Sequence, residues 1–148
     1  MFVNADFSDL LRVFNARKVK YLVIGGYAVV QYAEPHFTKD LEVVVGTDSV
    51  NAESIYAALR EFGAPLAGLT PTDFSEEGFF FQMGVPPVRV DVMMGVSGIR
   101  FEECWSRRVE VEFDGLPVFF ISKRDLIAAK RAAGRPQDLL DADLLSRD

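Results

Sequence analysis

The chain is 148 residues long, 49% hydrophobic and 26% charged, enough apolar material for one domain with a real core, and this excludes a disordered protein. Its 16 Lys and Arg against 22 Asp and Glu leave a net charge of −6, which argues against indiscriminate nucleic-acid binding, because that depends on neutralising phosphates. Cys104 is the only cysteine and excludes an internal disulfide. No basic stretch followed by an apolar core and a cleavage site opens the sequence, and no apolar run approaches the roughly 18 residues a membrane span needs, so a soluble, cytoplasmic protein with no membrane partner is expected.

In chain order, Phe7, Leu10, Leu11 and Phe14 fall at i, i+3, i+4 and i+7 and predict an amphipathic helix that ends near Arg17 and Lys18. Strand Tyr21–Ile24 follows. After the pair Gly25-Gly26, a short, largely buried helix runs from Tyr27 to Tyr32 and stops ahead of Pro35, because the residue before a proline avoids the helical region. The next strand is Leu41–Val45. Asp48 or Ser49 caps a helix carrying Ile55, Leu59 and Phe62, with Gly63 as its terminator. From Ala64 to Gly78 the chain reads as loop, apart from one helical turn that Thr70-Pro71 can start.

Two strands are then predicted, Phe79–Met83 and Val88–Met93, the second with Val88, Val90 and Val92 on one face and Arg89, Asp91 and Met93 on the other. Val109 to Phe120 reads as a hairpin turning at Asp114-Gly115. Ser122 and Asp125 form a capping box for a helix through Ala133, closed by Gly134 and Pro136, and a last helix covers Gln137 to Leu145. No repeat or linker interrupts the chain, so residues 1–148 are expected to form a single domain. The 13 Phe residues suggest an aromatic core, with the run Phe79-Phe80-Phe81 also a candidate partner surface. Between positions 100 and 135 stand eight basic residues, a candidate local basic surface.

The chemistry concentrates in residues 22 to 45. A glycine pair where a strand turns into a helix lets backbone N–H groups approach an anion, because no Cβ intervenes and the first amides of the helix point outward. Asp40 and Glu42 then stand one residue apart at the start of a strand and project from the same face, about 7 Å apart at Cα. Spacing alone does not single them out, since Glu110/Glu112, Glu112/Asp114 and Asp141/Asp143 repeat it. An exposed strand face would give the same pattern. Context sets the first pair apart, because it follows the glycine pair and enters a nearly all-apolar strand. Asp91 lies in a run that is apolar except for Arg89, and a carboxylate there needs a metal, an arginine or solvent as its partner. Magnesium favours carboxylate oxygens together with substrate phosphates, the combination these positions would supply.

Gly25-Gly26-Tyr27-Ala28, then Pro35-His36-Phe37-Thr38-Lys39-Asp40-Leu41-Glu42, then Val90-Asp91-Val92, resemble in order and context the nucleotidyltransferase superfamily typified by DNA polymerase beta. The closer resemblance is to its small bacterial members, the minimal nucleotidyltransferases and the AbiEii-type toxins. The ending from Ile121 to Ile127, with Lys130, Gly134-Arg135 and Asp138 to Asp141, extends it to about Leu145. The resemblance implies an α/β (α+β) nucleotidyltransferase fold, a mixed sheet flanked by helices. It implies transfer of a nucleoside monophosphate from a nucleoside triphosphate to an acceptor hydroxyl, on an RNA, a protein or a small molecule, with Mg²⁺ or Mn²⁺ as cofactor. Asp40, Glu42 and Asp91 would be the metal ligands and catalytic residues, and Gly25, Gly26, Thr38 and Lys130 would bind the nucleotide. Two positions depart from the family pattern: Glu42 stands where Asp is usual, and His36 where the small members commonly carry Arg. A second reading follows from those departures. In it the chain is a weak or inactive nucleotidyltransferase-fold module that senses a nucleotide or binds a small partner protein, as one half of a toxin–antitoxin pair.

Overall fold

The computed structural model describes residues 5–33, 40–85 and 88–147. The N-terminal stripe Phe7, Leu10, Leu11 and Phe14 is the buried side of helix α1 (Ala5–Ala16). Strand β1 (Tyr21–Ile24) is buried along its whole length and passes directly into helix α2 (Gly25–Tyr32). The helix therefore begins at the glycine pair itself, two residues earlier than the sequence suggests. Strand β2 (Leu41–Val45) and helix α3 (Ser49–Phe62) follow; Asp48 caps α3 by accepting from the Asn51 amide, and the helix ends at Gly63. The expected single turn is a 3-10 helix, Pro71–Ser75, whose Phe74 is fully buried.

Strands β3 (Phe80–Val85) and β4 (Val88–Met93) form an antiparallel pair. Helix α4 (Phe101–Ser106) has no counterpart in the sequence reading. It is six residues long and starts at Arg100 without a side-chain cap, so it carries neither a period nor a start signal. Packing holds it instead: Cys104 is buried, and Phe101 stacks on Trp105 with ring centroids 6.0 Å apart. The hairpin β5 (Val109–Phe113) and β6 (Leu116–Phe120) turns through Asp114 (φ 51°) and Gly115 (φ 81°), the left-handed pair a two-residue loop requires. Helices α5 (Lys123–Ala133) and α6 (Pro136–Ser146) pack against each other at the end of the described chain.

The sheet order is β3-β4-β2-β1-β6-β5. Pairing is parallel for β2 with β4 and for β1 with β6, and antiparallel elsewhere, so the sheet is mixed and helices flank it, as expected from the sequence. One face carries Tyr21, Val23, Val43, Val90, Val92 and Phe81; α1 and the 3-10 helix pack here, with Phe14 against Tyr21 and Phe74 against Phe81 at centroid distances of 5.6 and 5.8 Å. The aromatic run is thus divided: Phe81 is core, whereas Phe80 points outward and is 48% exposed. The opposite face carries Glu42 and, beside it on β4, Asp91.

A buried asparagine ties the first helix-to-strand loop to the end of β2. Asn51 Nδ2 donates to the carbonyls of Gly46 (2.8 Å) and Lys20 (3.1 Å), and its Oδ1 accepts from the Lys20 amide at 2.8 Å. Removing it orphans the Lys20 amide and the Gly46 carbonyl at the root of the two strands that present the site, while the Lys20 carbonyl keeps the Gly46 amide at 3.4 Å. Each buried, unsatisfied group costs about 1–3 kcal/mol, so Asn51→Ala is expected to lower the unfolding free energy by about 2–4 kcal/mol in urea titration, with the far-UV spectrum of the folded state preserved.

Candidate functional site

Register brings the acidic residues together. Glu42 pairs with Ile24 on β1 and with Asp91 on β4, so the two carboxylates leave the same face of neighbouring strands. Asp40 lies one residue ahead of β2 and shares a cation with Asp91: Arg89 Nη2 is 3.0 Å from Asp40 Oδ2, and Arg89 Nε is 3.2 Å from Asp91 Oδ1. Asp91 is 4% exposed, and its Oδ1 also accepts from Gln82 Nε2 at 3.1 Å, across the β3–β4 pair. Of the partners the sequence left open for Asp91, the structure therefore supplies an arginine.

The glycine pair meets this cluster at Glu42. Gly25 has φ +71°, and a Cβ built on it would collide with the Glu42 carboxylate, reaching the carboxylate carbon at 2.7 Å. Only glycine tolerates both the conformation and the contact. Gly26 lies in the first turn of α2, half-buried, and α2 begins without a side-chain cap, so its first amides are not engaged by a capping residue. Thr38 and His36 lie outside the described residues.

Across a cleft of about 150 Å³ from Gly25 and Glu42 stand Lys130, Arg135 and Asp138, contributed by α5, α6 and the turn between them. Lys130 Nζ is 3.2 Å from Asp141 Oδ2 and 3.5 Å from Asp138 Oδ1. The Arg135 side chain makes two bonds to Asp138, Nε to Oδ2 at 2.6 Å and Nη2 to Oδ1 at 3.2 Å, and its backbone amide donates to Oδ2 at 3.3 Å. Those Arg135 bonds, with Lys130 beside them, hold the Asp138 carboxyl below the usual aspartate range although it is buried. The candidate basic surface between 100 and 135 is correspondingly tied up in places, with Arg107 also gripping Asp125 through two bonds of 3.0 and 2.9 Å.

Glu42 has the opposite character. Burial pushes its carboxyl above the usual glutamate range, and Asp91 and Asp40 push the same way, against the pull of Lys130 and Arg135. Among the described residues no cation lies within ion-pair distance of it. Of the three clustered acids, Glu42 is thus the one without an ion-pair partner among the described residues.

The other acid-x-acid pairs lack this setting. Glu110 and Glu112 point into solvent from the edge strand β5, and Asp141 and Asp143 lie on α6 with Asp143 exposed to 69%. Arg89, Gln82 and Arg135 were not singled out in the sequence as site residues. The signal for Arg89 was nevertheless present, since two-residue alternation places it on the Asp91 side of β4; Gln82 becomes visible only once the β3–β4 register is known.

Comparison with known proteins then identifies the chain. A family described as "Nucleotidyltransferase of unknown function (DUF6036)" matches residues 4–146. The chain belongs to this nucleotidyltransferase family. Membership supports the transferase that the sequence resemblance implied. The lincosamide antibiotic adenylyltransferase LnuA, solved with lincomycin bound, is 15% identical with a TM-score of 0.60, covering 97% of this chain and 96% of LnuA. TM1012 of Thermotoga maritima, a protein assigned to the nucleotidyltransferases, is 17% identical with a TM-score of 0.59, over 99% and 97% of the two chains. ANT(2″)-Ia, solved in complex with adenylyl-2″-tobramycin, is 14% identical with a TM-score of 0.58, over 94% of this chain and 84% of its own. At these identities the likeness shows the nucleotidyltransferase fold. A comparison with curated protein sequences gives no match. No helix among the described residues is long and apolar enough to cross a membrane.

The raised Glu42 carboxyl has a stability consequence with a definite sign. Where the folded value lies above the unfolded one, the group's contribution is fully present below the unfolded value and is lost as pH rises through the folded value. Ionisation of Glu42 thus weakens the fold, and Glu42→Gln is expected to raise the melting temperature by a few degrees at pH above the folded value. In scanning calorimetry that gain disappears below the ordinary glutamate range. Asp138→Asn is expected to act in the opposite sense. The lowered value of Asp138 gives stability above its unfolded value, lost as pH falls through the folded one, so this substitution lowers the neutral-pH melting temperature and matters less in acid.

Proposed function

We propose that this nucleotidyltransferase-family protein moves a nucleoside monophosphate from a nucleoside triphosphate to an acceptor hydroxyl, with Mg²⁺ or Mn²⁺ held by Asp40, Glu42 and Asp91. The observation that carries the reading is the placement of Glu42 beside Asp91 on adjacent parallel strands, against Gly25, with no ion pair to Glu42 among the described residues. In donor chemistry the site fits a hard divalent cation, because all three side chains offer carboxylate oxygens. It is not a preformed cage: among the described residues, no three His, Cys, Asp or Glu side chains are gathered closely enough to hold a metal by themselves. That suits Mg²⁺, which usually takes one or two carboxylates together with waters and substrate phosphates.

When bound, the cation supplies charge neutralisation to the phosphates and to the attacking oxygen. The first amides of α2, at Gly25 and Gly26, are offered to phosphate oxygens, with Thr38 as a further nucleotide contact. Lys130 adds a point charge across the cleft, aimed by Asp138 and Asp141. The acceptor hydroxyl donates to Asp91 Oδ2, which Gln82 does not engage and which Arg89 Nη2 reaches at 3.4 Å. Its oxygen bonds to the α-phosphorus, the bond from that phosphorus to the bridging oxygen breaks, pyrophosphate departs, and the hydroxyl proton passes to the carboxylate. The acceptor is a hydroxyl of a small molecule, an RNA or a protein.

One observation favours the second reading, a nucleotide-sensing or partner-binding module with little chemistry, such as one half of a toxin–antitoxin pair with a small partner protein. Arg89 already neutralises Asp40 and Asp91, and Asp138 and Asp141 already neutralise Lys130. Incubating the protein with α-phosphate-labelled nucleoside triphosphates, Mg²⁺ or Mn²⁺ and a cell extract separates the readings. Transfer of label to an acceptor is expected; Asp40→Asn should reduce it about a hundredfold or more, while Glu110→Gln on β5 leaves it unchanged. Nucleotide binding without any labelled acceptor, equal in both variants, would favour the binding module.

A further inference from the structure

Both oxygens of Asp91 are engaged by side chains. Oδ1 accepts from Gln82 Nε2 at 3.1 Å and lies 3.2 Å from Arg89 Nε; Oδ2 lies 3.4 Å from Arg89 Nη2. The same Nη2 is 3.0 Å from Asp40 Oδ2. One planar cation thus joins a carboxylate at the entrance of β2 to a carboxylate on β4, two strands that are hydrogen-bonded neighbours. The Arg89 side chain is 31% exposed, and the pair it makes with Asp91, 5% exposed, is the more desolvated one. A guanidinium spans two carboxylates because its donors form a rigid fork, which a single ammonium cannot reproduce. Neither its ion pairs nor its hydrogen bonds reach Glu42.

We propose that Arg89 gates the cation site: its guanidinium and the divalent cation compete for Asp40 and Asp91, so the cation enters by exchange with the guanidinium and is held weakly until a nucleotide binds with it. The inference rests on the cation-dependent reading given above. A partly buried charge pair must be broken before Asp91 can turn an oxygen to another cation, and breaking such a pair is costly because a desolvated charge is left unpartnered. Nucleotide changes that balance. Its phosphates bring oxygens for the incoming cation and an anionic partner for the released guanidinium, which binds phosphate through the same fork. Cation and nucleotide then raise each other's affinity, a coupling whose source is Arg89.

The test is Mn²⁺ titration followed by the paramagnetic resonance of the free ion, on the full chain, with and without a nucleoside triphosphate analogue that cannot be cleaved between the α- and β-phosphates. Arg89→Gln is expected to bind Mn²⁺ alone about tenfold more tightly than the unmodified protein. Arg89→Lys should fall between them, because the ammonium keeps the charge and cannot bridge. Arg108→Gln, at a guanidinium stacked 4.0 Å over Trp105 and one residue ahead of β5, the sheet edge remote from β4, should match the unmodified protein. Adding the analogue should raise Mn²⁺ affinity more in the unmodified protein than in Arg89→Gln.

If the unmodified protein binds Mn²⁺ with the analogue and neither Arg89 variant binds the ion more tightly, the gating role is overturned while the cation site stands. If the unmodified protein binds no Mn²⁺ under either condition, both fall. Circular dichroism establishes folding first, and Arg89→Lys decides by the same criterion should Arg89→Gln not fold.

Discussion

Placing carboxylates side by side on an apolar sheet is expensive, and much of the surrounding structure answers that expense. Glu42 and Asp91 are lateral neighbours on parallel strands. Hydrogen-bond register leaves them no freedom to separate at the backbone, so compensation has to come from side chains. Arg89 takes Asp40 and Asp91, and Gln82 takes part of Asp91 from the neighbouring strand. Glu42 is answered only from a distance, by Lys130 and Arg135 across the cleft, and its carboxyl stays above the ordinary range. A fold selected for stability alone would place an apolar residue at position 42, since replacing buried charge by packed hydrocarbon is often neutral or stabilising. An underpaired acid kept at this position supports the proposed cation site, where its charge would have a use.

The second half of the chain is organised around the same problem with the sign reversed. Lys130 and Arg135 would be an unopposed positive corner if α6 did not bring Asp138 and Asp141 beneath them. This explains why α6 buries two aspartates while Leu139 and Leu140 remain 49% and 65% exposed. A helix docked only to cover the core would present the leucines inward. Here the charged turn of α6 steadies Lys130, and the packing of α5 on α6 fixes that cluster opposite Gly25 and Glu42.

The sequence disclosed the strands and most helices because their signals are local: the stripe Phe7 to Phe14, the cap at Asp48, the turn at Asp114-Gly115 and the cap at Ser122 depend on residues a few positions apart. It also disclosed which acids to compare, since two-residue alternation puts Arg89 with Asp91. What it could not disclose is lateral. The pairing of Glu42 with Asp91 is a property of strand order, and the choice between metal, arginine and solvent for Asp91 depends on a side-chain conformation. Gly25 illustrates the same limit. From the sequence it is an opening for phosphate, whereas in the fold the space beside it holds the Glu42 carboxylate. The Gly25 amide, with that of Gly26 and the rest of the uncapped first turn, is what the proposal offers to an anion. Helix α4 escaped because six uncapped residues carry no pattern of their own.

The central claim is that Asp40, Glu42 and Asp91 form one cation-dependent nucleotide site at the start of α2. The measurement that tests it most directly is anomalous diffraction from crystals grown with Mn²⁺ and a non-cleavable nucleoside triphosphate analogue. The account predicts an anomalous peak bounded by these three carboxylates, phosphate density at the first turn of α2, and the Arg89 guanidinium withdrawn from between Asp40 and Asp91. A nucleotide bound away from Gly25 and Gly26, with Arg89 still bridging the two aspartates and no anomalous peak beside Glu42, would contradict it.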